Sequence, residues 1–404
     1  MKISQALAQS SSKKLSLHQT FAVVKIAEVC NLKCPYCYFF FGGDNSYKDD
    51  PAVMTPETAR NVAKFLAQGA VDLGLKRIDI SLHGGEPLMV GKRRFEEICT
   101  ALREIISPEC ELAINMQTNG VLVDEEWVDI FRRHSIGIGV SIDGDQATHD
   151  RNRFDRKGRG SYEKTIAGIR MIERYSPVGI LCVIQPASDG AAIYRHFVHD
   201  LGFTSIDFLL PLQNWDNFNG DMTDAVTRFY IGVLDAWLAD NRPNVRIRTL
   251  SDPLIAMLSD EGARRRAYGL LDNTDAITIR SNGDVCPDDT LTSIRPALRR
   301  TGYNVRSSLL ADFMSDPLWN DLRPNALKPA GKCVGCEWWG ICRGGHADHR
   351  YSTEHGFRGH STYCTTYEAL YARLKQYVSR AIPAEVLRAR LTKLADLQLD
   401  LEEA

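Results

Sequence analysis

The sequence predicts an α/β fold: a parallel sheet that curls toward a partly closed (β/α)6 barrel. Two observations predict it. Strand-like and helix-like segments alternate from Phe21 to about Leu212, in six units, and repeated strand–helix units build parallel sheets. Polar turns containing glycine follow the second, third and fourth strand candidates, at the strand ends where such sheets collect their site residues. Periodicity alone leaves a flat, doubly wound sheet open as the alternative.

The strand candidates are FAVVKI (21–26), RIDISLH (77–83), ELAINMQ (111–117), IGIGVSI (136–142), GILCVIQ (179–185) and SIDFLLPL (205–212). Each is short, apolar and rich in β-branched residues. Between them lie PETARNVAKFLAQGAVDLG, KRRFEEICTALREII, DEEWVDIFRRH, YEKTIAGIRMIERY and AIYRHFVHDLG, which repeat apolar positions at helical spacing. Gly220 to Tyr268 reads as helical and ends in the basic run Arg264, Arg265, Arg266, taken as a solvated helix face. Residues 277–368 read as short strands and turns, and residues 368–404 as helix broken near Pro383 with an acidic end, LDLEEA. The expected organisation is a tail over 1–20, a barrel over 21–235, a helical linker over 236–282, a cysteine-rich domain over 283–368 and a helical segment over 369–404. No internal repeat is visible.

Composition narrows the function. A 44% hydrophobic content supplies a sizeable core, and a net charge of −2 provides no field to recruit nucleic acid or a membrane surface. The polar first twenty residues contain no apolar signal core, and no apolar run approaches the roughly 20 residues of a membrane span. The chain is expected to be cytoplasmic. Eleven cysteines, an odd number without a signal segment, favour metal ligation over a disulfide framework. Seven fall in two tight groups; Cys99 and Cys182 sit in apolar runs and read as core thiols.

The first group is Cys30, Cys34 and Cys37 in VCNLKCPYCYFF, spaced C-x3-C-x2-C after the first strand. Three thiolates can hold three irons of a [4Fe–4S] cube and leave the fourth iron open to a ligand. A zinc site is the alternative reading, but it needs a fourth ligand nearby. The spacing, its place after the first strand and the aromatic Tyr36 before the third cysteine resemble the radical S-adenosylmethionine (SAM) enzymes. The resemblance covers residues 21–368 and implies a partial (β/α)6 TIM-like barrel with C-terminal additions. It implies that HGGEP (Gly84, Gly85 and Glu86) grips the methionyl ammonium of the cofactor. It assigns Asn119 of QTNG and Ser141 of SIDG to the ribose side, Arg153 to the cofactor carboxylate, and Leu209 to the adenine. Gln117 and Asp143 are expected to face substrate. Ordinary turn, strand-cap and surface-pair roles stand beside each of these.

The second group, CVGCEWWGIC with STYC downstream, supplies Cys333, Cys336, Cys342 and Cys364. It resembles the SPASM or shorter twitch extension, where this pattern encloses an auxiliary [4Fe–4S] cluster; a zinc knuckle is the other reading. The full pattern has a further cluster, but His346 stands where a cysteine is expected and Cys286 lacks companions. Two clusters in all are therefore expected. The run CRGGHADHRYSTEHGFRGHSTYC resembles peptide-modifying maturases that form cyclophane crosslinks. That resemblance implies a precursor peptide as substrate and an external reductant such as flavodoxin or ferredoxin. Oxidation of a peptide needs a proton acceptor, and Asp288 or Asp289 in CPDDTL is expected to serve, with burial raising its pKa. A sulfatase (formylglycine) maturase is the competing enzyme, and a zinc or Fe–S binding module the competing non-enzyme.

Overall fold

A computed structural model describes residues 19–42, 45–262, 266, 276–322 and 328–395. Residues 1–18 of the expected tail, Arg264, Arg265 and LDLEEA lie outside the described residues, whereas Gln19 and Thr20 already belong to β1. Strands are β1 (Gln19–Ala27), β2 (Arg77–Gly84), β3 (Glu111–Thr118), β4 (Gly137–Ser141), β5 (Gly179–Val183), β6 (Ser205–Leu209), β7 (Arg246–Ile247), β8 (Ile277–Ile279) and β9 (Val285–Pro287). All six predicted strands form, within three residues at each end. The described residues divide into two compact units, one running from 19 to 181 with 276–319, the other from 182 to 266 with those from 320 to 395.

In the first unit the strands run in the order β5–β4–β3–β2–β1–β8–β9. Strands β1 to β5 and β8 are parallel, and β9 returns antiparallel to β8 through a tight turn at Gly283 (φ +91°). Alternation fixes the two faces of β2. Ile78, Ile80 and Leu82 are fully buried, whereas Asp79, Ser81 and His83 lie half-buried on the other face. The helices begin where chemistry dictates. Thr55 caps Pro56–Leu73, with Pro56 in the first turn, and Asp124 caps Glu125–Arg133 through the Trp127 amide at 2.9 Å. Cys99 is a core thiol, as its surroundings predict.

In the second unit β6 and β7 pair in parallel through Ser205 with Arg246 and Ile206 with Ile247. The predicted AIYRHFVHDLG helix is an α-helix over Gly190–Arg195 that widens to a π-turn over His196–Asp200. Helix Gly220–Asp240 packs on helix Cys364–Val378, fastened by Arg373 Nε to Asp235 at 2.7 Å. Helix Ala384–Ala395 follows the break at Pro383. Cys182 is buried here, again as expected.

One close approach ties helix to motif in the first unit. A Cβ on Gly168, in helix Tyr162–Glu173, would lie 2.2 Å from the Gly120 carbonyl oxygen, and Gly120 itself has φ +76°. Gly168→Ala is expected to cost about 1–3 kcal/mol of stability as the QTNG turn is pushed aside. Denaturant unfolding checks it, and an unchanged midpoint would contradict the packing described.

Candidate functional site

The loop after β1 carries Cys30, Cys34 and Cys37, all half-buried. The Cys37 amide donates to the Cys34 carbonyl (3.1 Å), and Cys37 then caps the short helix Tyr38–Phe41. The Leu32 amide approaches Cys30 Sγ at 3.4 Å. Burial pushes the Cys30 thiol up to about 12 and the Cys34 thiol up to about 11. Each also feels the Cys37 sulfur. Such thiols ionise when a metal takes their proton's place.

HGGEP docks on this loop by backbone. The Gly85 amide donates to Ala27 O (2.8 Å) and the Glu86 amide to Val29 O (2.9 Å). A Cβ at Gly84 would stand 2.0 Å from Ala27 O, and one at Gly85 2.5 Å from Val29 O. The two glycines are therefore required by the approach of chain to chain, a reason the sequence reading did not give.

The Glu86 carboxylate is buried and accepts from Thr118 Oγ1 (2.7 Å), the Asn119 amide (2.8 Å) and the Leu88 amide (3.1 Å). Burial still raises its pKa to about 7. Glu86 thus joins HGGEP to QTNG. Asn119 Nδ2 donates to Asn31 Oδ1 (2.8 Å), one residue from Cys30. Gln117 Nε2 donates to Ser141 Oγ (2.8 Å), and its amide lies over Gly139, where a Cβ would be 2.2 Å from Gln117 Oε1.

Tyr36, Asp143 and Arg153 form one group. The Tyr36 hydroxyl donates to Asp143, whose carboxylate lies 2.9 Å from Arg153 Nε, and the guanidinium sits 5.6 Å from the Tyr36 ring centre. Asp143, expected to face substrate, is here engaged with the two residues expected at the cofactor. Leu209 ends β6 in the second unit.

The sequence reading missed Lys25, His83 and Tyr38. Lys25 is fully buried in β1, opposite His83 in the β1–β2 register. Its ammonium donates to Asp289 Oδ2 and to His83 Nδ1 (2.9 Å). The Tyr38 hydroxyl donates to the same Asp289 oxygen (2.7 Å), and the Phe39 ring lies 4.5 Å from Lys25 Nζ. The signal was a lone lysine inside an otherwise apolar strand. This group corrects one expectation. Burial alone would raise the Asp289 pKa, but Lys25, His83 and Tyr38 outweigh it and hold the carboxylate down to about 2. Burial, then Lys25, lowers His83 to about 4, so its ring is neutral. Asp288 is half-buried and caps helix Asp289–Ile294 through the Thr290 amide (2.8 Å). Cys286 is a buried thiol whose Sγ lies 3.7 Å from Thr278 O across the β8–β9 pair.

In the second unit Cys333, Cys336, Cys342 and Cys364 border one hollow, with Trp338, Trp339 and Tyr371 among its other walls. Consecutive turns set them there: the Cys336 amide donates to Cys333 O (3.2 Å), that of Cys342 to Trp338 O (2.8 Å), and that of Cys364 to Ser361 O (3.0 Å). Burial pushes Cys342 up to about 12 and Cys364 up to about 11. Among the described residues, no three Cys, His, Asp or Glu side chains close around a single ion. A cube sits between its thiolates, and four thiols around a partly open, largely apolar hollow fit that group. Burial lowers His346 to about 4.

Residues 24–191 match the Radical SAM superfamily. Those residues form a radical SAM domain. Its cofactors are S-adenosylmethionine and [4Fe–4S] clusters. The chain is 25% identical over 351 residues to a cysteine-type anaerobic sulfatase-maturating enzyme of Clostridium perfringens, covering 85% of this chain and 92% of that one. It is 32% identical over 189 residues to a serine-type anaerobic sulfatase-maturating enzyme of Klebsiella aerogenes, covering 45% and 44%. A solved structure of native anSMEcpe with bound AdoMet and Cp18Cys peptide superposes with a TM-score of 0.74 at 21% identity, over 90% of this chain and 100% of that one. Streptococcus suis SuiB bound to S-adenosylmethionine gives a TM-score of 0.58 at 18% identity, over 86% and 75%. These two likenesses establish the fold.

Lys25→Met leaves Asp289 buried without its cation and is expected to cost about 3–5 kcal/mol. Lys25→Met with Asp289→Leu is expected to recover most of that loss. Equal stability of the single and double variants in denaturant unfolding would refute the pairing.

Proposed function

We propose that this radical SAM enzyme is a peptide maturase, which oxidises a side chain of a ribosomally made precursor and closes a crosslink of the cyclophane or a related type. The observation that carries the peptide reading is likeness along most of the chain to enzymes named as sulfatase-maturating, one of them solved with a peptide bound. The crosslink reading rests on the run from Cys342 to Cys364 and on His346 standing where a further cluster would need a cysteine. A second reading, oxidation of a cysteine or serine to formylglycine, is favoured by the names of those same relatives.

Cys30, Cys34 and Cys37 would hold the site-differentiated cluster, and Cys333, Cys336, Cys342 and Cys364 the auxiliary one. When bound, these cofactors supply a 5′-deoxyadenosyl radical for hydrogen abstraction and an outlet for the electron that follows. The chain supplies position and charge. Gly84, Gly85 and Glu86 receive the methionyl ammonium, with Glu86 as its counter-charge. Asn119 and Ser141 face the ribose, Tyr36 the adenine, and Arg153 the cofactor carboxylate. Gln117 and Asp143 border the peptide. Asp289, ionised at working pH, accepts the proton lost by the oxidised peptide. It is a weak base, sufficient for a carbon centre made acidic by oxidation, and Asp288 fixes the turn that presents it. A small external reductant such as flavodoxin or ferredoxin would deliver the first electron. No described helix is long and apolar enough to cross a membrane, and a cytoplasmic setting is part of the proposal.

Co-expression with a candidate precursor followed by mass spectrometry is the test. Loss of two hydrogens with the two joined residues fragmenting as one supports the crosslink, an aldehyde formed from a cysteine thiol or a serine hydroxyl and trapped by a hydrazine supports the second reading, and an untouched peptide beside released 5′-deoxyadenosine rejects both. Anaerobic protein is expected to hold about eight irons with matching sulfide. Asp289→Asn is expected to lower product formation roughly 10²-fold while peptide-independent S-adenosylmethionine cleavage continues. Glu86 must be ionised to pair with an ammonium. The Kd for S-adenosylmethionine is therefore expected to rise as pH falls through about 7, and Glu86→Gln to flatten that dependence.

A further inference from the structure

The hollow bordered by the four C-terminal cysteines is charged asymmetrically. Lys332 and Glu368 stand at its edge as an ion pair 3.2 Å apart, both more than a third exposed, where water screens them and each cancels the other. Glu368 also lies 3.7 Å from Cys364 Sγ. The guanidinium charges that act on these cysteines are not so screened. Arg350 is 2% exposed, and its Nε donates to Gly359 O at 3.0 Å. Its Nη1 lies 3.4 Å from Arg343 O. Gly344 borders the hollow, and a Cβ built on it would be 3.3 Å from Arg350 Cζ. The guanidinium therefore packs behind Gly344, where a side chain would crowd it. The Arg350 charge acts on both Cys333 and Cys342, and that of Arg266 acts on Cys342. Guanidinium groups stay protonated in proteins, so both charges are permanent.

A cluster gains negative charge on reduction, and a fixed cation in a low-dielectric wall stabilises the more negative state. We propose that Arg350, seated behind Gly344, raises the reduction potential of the cluster held by Cys333, Cys336, Cys342 and Cys364, so that this cluster can take an electron from the peptide. This rests on the auxiliary-cluster reading above. The balance is one electron and one proton: hydrogen abstraction leaves a carbon radical on the peptide, the electron passes to the oxidised cluster, the proton passes to a carboxylate, and the peptide is left two electrons more oxidised. Arg350 is thus a positioning charge, touching neither peptide nor S-adenosylmethionine.

The test is an EPR-monitored redox titration of the full chain, reconstituted without oxygen, with Cys30, Cys34 and Cys37 replaced by Ala to remove the first cluster's signal. Arg350→Gln is expected to shift the midpoint downward, and Arg350→Lys, which keeps the charge but loses the fork, to leave it near the parent value. Four irons per chain with an unmoved midpoint in Arg350→Gln would overturn the inference while leaving the auxiliary cluster in place. Should Arg350→Gln fail to hold iron, Arg350→Lys decides, since a fall in its midpoint would assign the effect to the carbonyl contacts rather than the charge. A parent chain that binds no iron once the first three cysteines are gone would overturn both readings.

Discussion

The stitch between HGGEP and the end of β1 governs the first unit's site. Two amide-to-carbonyl hydrogen bonds, from Gly85 to Ala27 and from Glu86 to Val29, draw one strand's exit against the next strand's exit. No side chain fits at either glycine, because each Cβ would fall inside a neighbouring backbone. Once the stitch is made, the loop of Cys30, Cys34 and Cys37 leaves β1 along a fixed path, and Glu86 is carried into reach of Thr118, the last residue of β3, and of Asn119 just after it. Three motifs far apart in sequence then become one rim. The energetic logic is that of any buried carboxylate: three hydrogen bonds make its burial tolerable without removing the cost.

Much of this rim was legible in the sequence because its parts are local. Periodicity located the strands, and polar turns at their ends located HGGEP, QTNG and SIDG. The cysteine spacings marked both thiol groups, since a spacing is a property of a single short segment. What the sequence hid was pairing across distance. Nothing near Lys25 in the chain announces Asp289, 264 residues away, and the carboxylate therefore has the reverse of the anticipated shift. The links of Asp143 were hidden likewise, because its partners Tyr36 and Arg153 come from the cluster loop and from the segment after the next helix. The pairing of β8 with β1 was hidden for the same reason, because three residues carry no periodicity that names a neighbour.

The two thiol groups differ in the charges around them. The first has the Arg153–Asp143 pair beside it, a cation already balanced by a carboxylate. The second has guanidinium charge acting on it from Arg350 and Arg266, and a screened pair at its edge. Identical ligand atoms in unlike surroundings are how one chain can give two clusters separate electronic roles, since potential follows charge, hydrogen bonding and exposure as well as cluster type. Burial raises Cys30 and Cys34 in the first group and Cys333, Cys342 and Cys364 in the second, so protons must leave as either site is filled.

Gly139 carries a last consequence. Gln117 lies across it because β4 offers no side chain at that level, and the amide is thereby free to reach Ser141. Even an alanine there would lift Gln117 off the strand and break its hold on the neighbouring hydroxyl. The bare stretch of β4 is therefore a poor place to redesign this enzyme's selectivity by adding bulk. Remodelling has more latitude at half-buried positions such as Ser81, where a side chain already stands.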